Sequence, residues 1–224
     1  MTITIVIAAK NEEKSVGEII QGCMPYAGQI ILADGHSADK TREIGESLGA
    51  RIILDHGKGK GDAIRTAIAH ITGDITVFID ADGSHDPNDI PKLIEPILQG
   101  KADHVSGSRL TGGSDELHGT FNECFRLMGS SLITAFINWR FGVHLSESQN
   151  GFRAIRTEIL KKLDLKENIT TIEQEMIIKT LKKGYRMAEV PAHEYTRKSG
   201  HSHIRLSRVG FRYVYSMLKY LFLG

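Results

Sequence analysis

Cysteine is nearly missing from this chain. Two occur in 224 residues, Cys23 and Cys124, and neither belongs to a Cys-x-x-Cys pair. A disulfide-framed secreted scaffold is thereby excluded, a thiolate zinc site is not expected, and a reducing compartment is the default. Charge of one sign is missing as well. Lys and Arg total 28 against 27 Asp and Glu, a net charge of +1, which removes bulk attraction to nucleic acid. No run of about 18 apolar residues occurs, so no membrane-spanning helix is expected. The start lacks a basic segment and soon reaches polar Asn11-Glu12-Glu13, so it is expected to form a first buried strand rather than a signal peptide. Internal repeats, low-complexity tracts and linkers are not seen either. What remains is 41% hydrophobic and 25% charged, the balance of a soluble globular domain long enough to bury a core without metal or disulfides.

Short apolar runs alternate with helical periods through the first half. Strands are expected over residues 3–8, 29–33, 51–54, 75–79 and 104–106, and helices over 16–22, 39–48, 61–70 and 87–98. Continuous apolar strands alternating with helices argue a parallel α/β sheet covered on both faces. Ligands of such sheets bind beyond the carboxyl ends of the strands. In the second half, residues 110–122 lack periodicity and read as a polar, glycine-rich loop. Helices are expected over 123–139, 156–163, 171–183 and 204–222, a strand or turn over 149–155, and a late strand over 187–192.

The residues with chemistry lie at those strand ends. In Ile79-Asp80-Ala81-Asp82-Gly83 two carboxylates sit two apart, and in an extended segment both point the same way. Such a pair is costly without a cation, and a hard divalent ion that also bridges a phosphate fits it; the bland reading is a solvated turn. Asp34 ends the second strand, where a ligand hydrogen bond is the better explanation, while Ser37 or Asp39 can cap the next helix. Gly57-Lys58-Gly59-Lys60-Gly61 suits an approach to phosphate before a helix, or a flexible surface loop, but lacks the spacing of a P-loop. Arg109 follows Ser106-Gly107-Ser108 at the same sheet edge, unless it is an ordinary surface arginine. Arg197-Lys198-Ser199-Gly200-His201-Ser202-His203 concentrates cations and hydroxyls, which suits a diphosphate or a phosphate headgroup as well as a solvated loop. Trp139 and its neighbours read as core or interface rather than a sugar-stacking platform.

Taken together, from about Ile3 to His203, the chain resembles the family 2 glycosyltransferases, and within them the dolichol-phosphate mannose synthase, or polyprenyl-phosphate glycosyltransferase, group. The resemblance rests on Asn11-Glu12, on Asp34 to Thr41, and on Gly59-Lys60-Gly61 with Ala63. It continues through Asp80-Ala81-Asp82-Gly83-Ser84-His85, Gly107-Ser108-Arg109, the helix pair Arg126 and Ser130, Glu147 to Arg153, Glu175, and Arg197 with Gly200 and Ser202. Each motif is weak alone; the shared order and spacing are specific. The sequence departs from the family pattern at Ala33, Ser84, Glu147, Asn150 and His203.

The resemblance implies a GT-A fold, a Rossmann-like mostly parallel sheet flanked by helices. It implies inverting transfer of a mannose- or glucose-type sugar from a GDP- or UDP-linked donor to a polyprenyl or dolichyl phosphate. Ala8, Ala9, Asn11, Glu12, Asp34, Lys60, Asp80 and Ala81 would hold the donor nucleotide. Asp80 and Asp82 would hold Mg2+ or Mn2+, with Ser84 at the position of a third ligand. Asp82, Arg109 and Arg197 would serve catalysis, and Arg126, Ser130, Arg197 and Ser202 the acceptor phosphate. Residues 1–203 would form the catalytic domain and 204–224 an amphipathic C-terminal helix. Arg205, Arg208, Arg212 and Lys219 among Phe, Tyr and Leu suit a helix lying in an anionic headgroup layer, or packing on the domain or a partner. The expected place is therefore the cytoplasmic face of a membrane, with a homo-oligomer or an integral-membrane partner as further options. A non-lipid acceptor and a non-catalytic nucleotide-sugar-binding subunit are the alternatives.

Overall fold

A computed structural model describes residues 1–115, 121–197 and 206–223, with the backbone only for residues 121–126 and 206–209. Seven strands form one sheet in the order β3-β2-β1-β4-β6-β5-β7. They are β1 (Ile3–Ala9), β2 (Gln29–Asp34), β3 (Arg51–Leu54), β4 (Ile75–Asp80), β5 (His104–Ser108), β6 (Arg153–Arg156) and β7 (Met187–Pro191). Pairing is parallel except at β6, which runs antiparallel between β4 and β5. Side chains alternate faces along a strand, so β1 serves two cores. Ile5 and Ile7 enter one apolar cluster and Val6 the other.

Helices cover both faces because their apolar residues recur at helical spacing. Helix α1 (Val16–Cys23) and α4 (Ile90–Leu98) seal the first face with Val16, Ile20, Ile90, Leu93 and Ile97. On the other side of α1, over β2 and β3, α2 (Thr41–Ser47) packs its Ile44 against the same cluster. Helix α3 (Lys60–Ile68), α7 (Thr157–Lys162) and α8 (Ile172–Lys182) seal the second face with Ala63, Ile64, Ile159, Leu160 and Met176. A third cluster joins α6 (Phe121–Phe141) and α8 to α9 (Leu206–Leu218) and the π-helical turn Lys219–Leu223 that continues it. The C-terminal helix therefore packs on the domain through Met217, Tyr220 and Leu221.

One reading is corrected. The expected loop over 110–122 opens with a helical turn, α5 (Arg109–Gly112), while residues 116–120 lie outside the described part. Of the two readings of Trp139, core or interface, the core is excluded, because the side chain is 73% exposed.

One core residue gives the fold a pH dependence. His104 on β5 is fully buried, its Nδ1 is 3.0 Å from Thr180 Oγ1, and burial, with Arg153 adding to it, pushes its pKa well below the ordinary value. The native state thus holds this imidazole neutral, whereas the unfolded chain protonates it near pH 6.5. Its contribution is complete above that pH and is lost as pH falls below it, by up to about 1.4 kcal/mol per pH unit. Urea midpoints between pH 7.5 and 5.5 should therefore fall more steeply in the natural protein than in His104→Gln; equal slopes would refute this.

Candidate active site

The carboxyl ends of the parallel strands converge. The registers place Ala8 beside Asp80 and Ala9 beside Asp34. Beyond them opens a cleft of about 860 Å3. Asp80 is the last residue of β4, and Lys60 is the first of α3. Lys60 Nζ lies 2.7 and 2.8 Å from the two oxygens of Asp80 and 2.7 Å from Glu173 Oε1 on α8. Burial alone would push the Asp80 carboxyl up, yet the ammonium against it holds it below the usual carboxylate value. Burial likewise opposes the charge on Lys60, but Asp80 and Glu173 outweigh it and raise its pKa. Gly151 makes room for this trio: a Cβ there would lie 2.7 Å from both Asp80 Oδ2 and Lys60 Nζ.

Asp82 is turned to a second cation. Its Oδ2 is 3.4 Å from Arg197 Nη1, and its Oδ1 accepts from the Ser84 amide at 3.1 Å and hydroxyl at 2.7 Å. Ser84 thus lines the cleft as a brace for Asp82, its hydroxyl hydrogen committed to that carboxylate. Beside it, His85 Nδ1 is 3.1 Å from Ser84 Oγ, and burial lowers the pKa of the ring against the pull of Asp80 and Asp82. Among the described residues no three His, Cys, Asp or Glu side chains gather as a metal cage. The donor set still fits a hard ion of the Mg2+ or Mn2+ kind. Such ions are held by one or two carboxylates, with substrate phosphates and water completing the shell. Asp80 and Asp82 supply that pair at the cleft wall.

Arg109 reaches the cleft but is already compensated. Its guanidinium lies 2.6 Å from Glu147 Oε1 and 2.7 Å from Glu194 Oε1, and Ser114 Oγ donates to the other Glu194 oxygen at 2.6 Å. Burial opposes the arginine charge, but the two carboxylates win and raise its pKa. Burial raises the Glu147 carboxyl in spite of Arg109. Ser130 on α6 lines the same space, with Leu127 and Ile133 one turn to either side. The Arg126 side chain and Ser202 lie outside the described residues.

The far end of the cleft is walled by Ala8, Ala9, Lys10, Glu12, Asp55 and Lys58. Asn11 and Asp34 are not among the residues brought to it. The Asp34 carboxylate is fully buried and accepts from the Ser37 amide at 3.0 Å and hydroxyl at 2.5 Å. Asn11 accepts from the Ala38 amide at 2.8 Å. Asn11 thereby ties the loop after β1 to the loop after β2, while Asp34 braces the loop after β2 from within. The glycines before α3 also have a packing reason. A Cβ on Gly59 would lie 2.9 Å from Asn168 O, and one on Gly61 2.5 Å from Glu167 O, so the loop is pressed against residues 167–169. Glu175 is a brace too: fully buried, it accepts from the amides of Lys166 and Glu167, each at 2.8 Å, and pairs with Lys179. The cleft glutamate of α8 is Glu173. Neither it, Glu194 nor Asp55 was expected from sequence.

The family model described as glycosyl transferase family 2 matches residues 4–164. The chain belongs to that family. The hexosyltransferase Agl6 of low-salt glycan biosynthesis in Haloferax volcanii is 30% identical over 97% of the chain. The chain spans only 53% of that relative's length. A dolichyl-phosphate hexose transferase of the same organism is 29% identical over 88% of the chain and 84% of its own length. Among solved structures, glucosyl-3-phosphoglycerate synthase from Mycobacterium tuberculosis, in complex with Mn2+, UDP and glucosyl-3-phosphoglycerate, superposes with a TM-score of 0.77. It is 23% identical, and the match covers 100% of this chain and 81% of that one. The fold is therefore the GT-A fold that the motifs implied.

In this family 2 chain two helices complete the wall of the cleft. Gly129 and Ile133 of α6 and Gly210, Tyr213 and Val214 of α9 line it. On the outside of the same two helices, Met128, Leu132, Phe136 and Trp139 follow one another at helical spacing, as do Phe211, Tyr215, Leu218 and Phe222, and all are exposed. No helix among the described residues is long and apolar enough to cross a membrane.

Proposed function

We propose that the chain transfers a hexose from a nucleoside diphosphate sugar to a polyprenyl phosphate at a membrane surface. One observation carries the acceptor: the cleft holding Asp80 and Asp82 opens between two helices whose outer faces are apolar. Exposed apolar stripes of this extent are costly in water and suit a headgroup layer, where an isoprenoid tail can run from the lipid into the cleft mouth. The dolichyl-phosphate hexose transferase relative adds weight.

Asp80 and Asp82 would hold Mg2+ or Mn2+, which when bound offsets the negative charge building on the departing nucleoside diphosphate. The wall from Ala8 to Glu12, with Asp55 and Lys58, would receive the nucleoside. Ser130 and Arg197, with Arg126, would orient the acceptor phosphate. One of its oxygens attacks the anomeric carbon, the new O–C bond forms with inversion, and the electrons of the breaking C–O bond stay on the diphosphate. The attacking oxygen is already anionic near neutral pH, so no strong general base is required and positioning dominates. Arg109, neutralised by Glu147 and Glu194, shapes the floor rather than adding charge.

The test is a transfer assay with purified protein, Mg2+ or Mn2+, and GDP-mannose, UDP-glucose or UDP-N-acetylglucosamine. The acceptors are a short polyprenyl phosphate in vesicles and, in a parallel arm, 3-phosphoglycerate. The expected result is one lipid-linked sugar phosphate, lost with chelator. Product in the phosphoglycerate arm alone would overturn the lipid acceptor, and donor binding without any transfer would favour a non-catalytic subunit.

A further inference from the structure

The ammonium of Lys60 stands where the cation on Asp80 would stand. It contacts both Asp80 oxygens, so any metal ion that takes this carboxylate must displace it from at least one of them. A second anion is in place to receive it, because Glu173 Oε1 is already 2.7 Å away. The backbone cannot yield instead: Gly59, with φ at 120°, and Gly61 are wedged against residues 167–169, which fixes the start of α3. The side chain can move, because it lines the open cleft and is 20% exposed.

Charge adds a reason. Three carboxylates, Asp80, Asp82 and Glu173, meet two cations, Lys60 and Arg197, in this part of the cleft. A divalent ion added alone turns a small negative excess into a positive one, while a nucleoside diphosphate arriving with it restores the balance.

We propose that Lys60 is a built-in occupant of the divalent-cation seat, held on Asp80 in the free protein and passed to Glu173 when metal and a nucleoside diphosphate enter together. The inference rests on the reading of Asp80 and Asp82 as that seat. Metal alone then binds weakly, and nucleotide strengthens it, so that the cleft does not fill with an ion before the donor arrives.

Mn2+ binding followed by electron paramagnetic resonance, without acceptor and without turnover, tests this. In Lys60→Met, Mn2+ alone should bind at least tenfold more tightly than in the natural protein, and the gain from adding UDP or GDP should shrink. Lys58→Met removes a cation that lines the cleft away from Asp80 and should change Mn2+ affinity much less. An equal gain in both variants would show general electrostatics and overturn the inference, as would no gain in Lys60→Met. Lys60→Gln keeps a hydrogen-bond donor and replaces the Met variant if melting shows that one unfolded. Failure of every protein to bind Mn2+, with or without nucleotide, would remove the seat itself as well; tight binding by the natural protein without nucleotide would remove only the role of Lys60.

Discussion

Replacing Asp82 with alanine should abolish sugar transfer, with a loss on the order of 100- to 1,000-fold, while the protein stays folded. The magnitude is that of deleting one group that stabilises charge developing on a departing oxyanion. The separation of activity from stability follows from where Asp82 sits. It lies just beyond β4 on the cleft wall and belongs to none of the apolar clusters. Its partners are the neighbouring Ser84 and the cleft-facing Arg197, both lining space that water can enter. Losing these contacts should cost no more than about 1–2 kcal/mol. Turnover with donor, metal and polyprenyl phosphate, measured beside a urea titration, reads both quantities. Activity near that of the natural protein under chelation would sink the metal-assisted mechanism, and a protein unable to fold would show that Asp82 is structural.

Asp82 and Asp80 were legible in the sequence because an apolar strand that ends abruptly in a carboxylate pair is a local signal. Much of the fold was legible for the same reason. Strands β1 and β4 are continuous apolar runs, and the helices between them carry apolar residues at a 3.6-residue spacing, so a sheet buried on both faces follows from pattern alone. What was not legible is pairing across long stretches of chain. Lys60 and Glu173 are separated by 113 residues, and nothing near either announces the other. The motif resemblance drew attention to Glu175, two positions from Glu173. On a helix, residues two apart face different ways, and so one closes the 166–167 backbone while the other meets the cleft. The short β6 is another case. Four residues, Arg-Ala-Ile-Arg, carry no sign that they run antiparallel between two parallel strands, because that placement is decided by what the neighbouring strands leave open.

Polar loops carry a second duty that the sequence does not announce. A carboxylate, an amide or a glycine cluster beside a predicted ligand site invites a ligand role, yet the loops must also satisfy their own backbone groups. Asp34 and Asn11 serve the amides of Ser37 and Ala38, and Gly59 and Gly61 allow a close approach of residues 167–169. Local sequence does not distinguish a side chain that binds a ligand from one that builds the wall behind it, and only partner distances do. Arg109 shows the same limit for a cation. It does reach the cleft, but two carboxylates from segments 38 and 85 residues away had already claimed it.

Arg153 is where fold and site depend on a single side chain, and Arg153→Met should be the most destabilising single substitution proposed for this protein. The side chain is 1% exposed. Its Nη1 donates to the carbonyl of Glu173 at 2.9 Å, and its Nη2 donates to the carbonyl of Asn150. It thus joins the first turn of α8 to the loop before β6, which carries Gly151 and hence the space for Lys60. Burial works against its charge and lowers its pKa, whereas Glu173, Glu147 and Asp80 favour that charge. Methionine of similar length fills the volume but takes a donor from each of two buried carbonyls, of which only that of Glu173 keeps its helical partner, and removes a counter-charge from Glu173 and Glu147. Breaking a buried charge network by deleting one partner costs about 3–5 kcal/mol, against a total of roughly 5–15 kcal/mol for a domain. The urea midpoint should therefore drop by roughly 1–3 M. Arg153→Lys keeps a charge but reaches only one of the two carbonyls, so it should recover part of the loss. A methionine variant within about 1 kcal/mol of the natural protein would mean that the guanidinium is not what fixes α8 against β6. In that event the position of Glu173, and with it the second partner of Lys60, would have to be set by the apolar contacts of α8 alone.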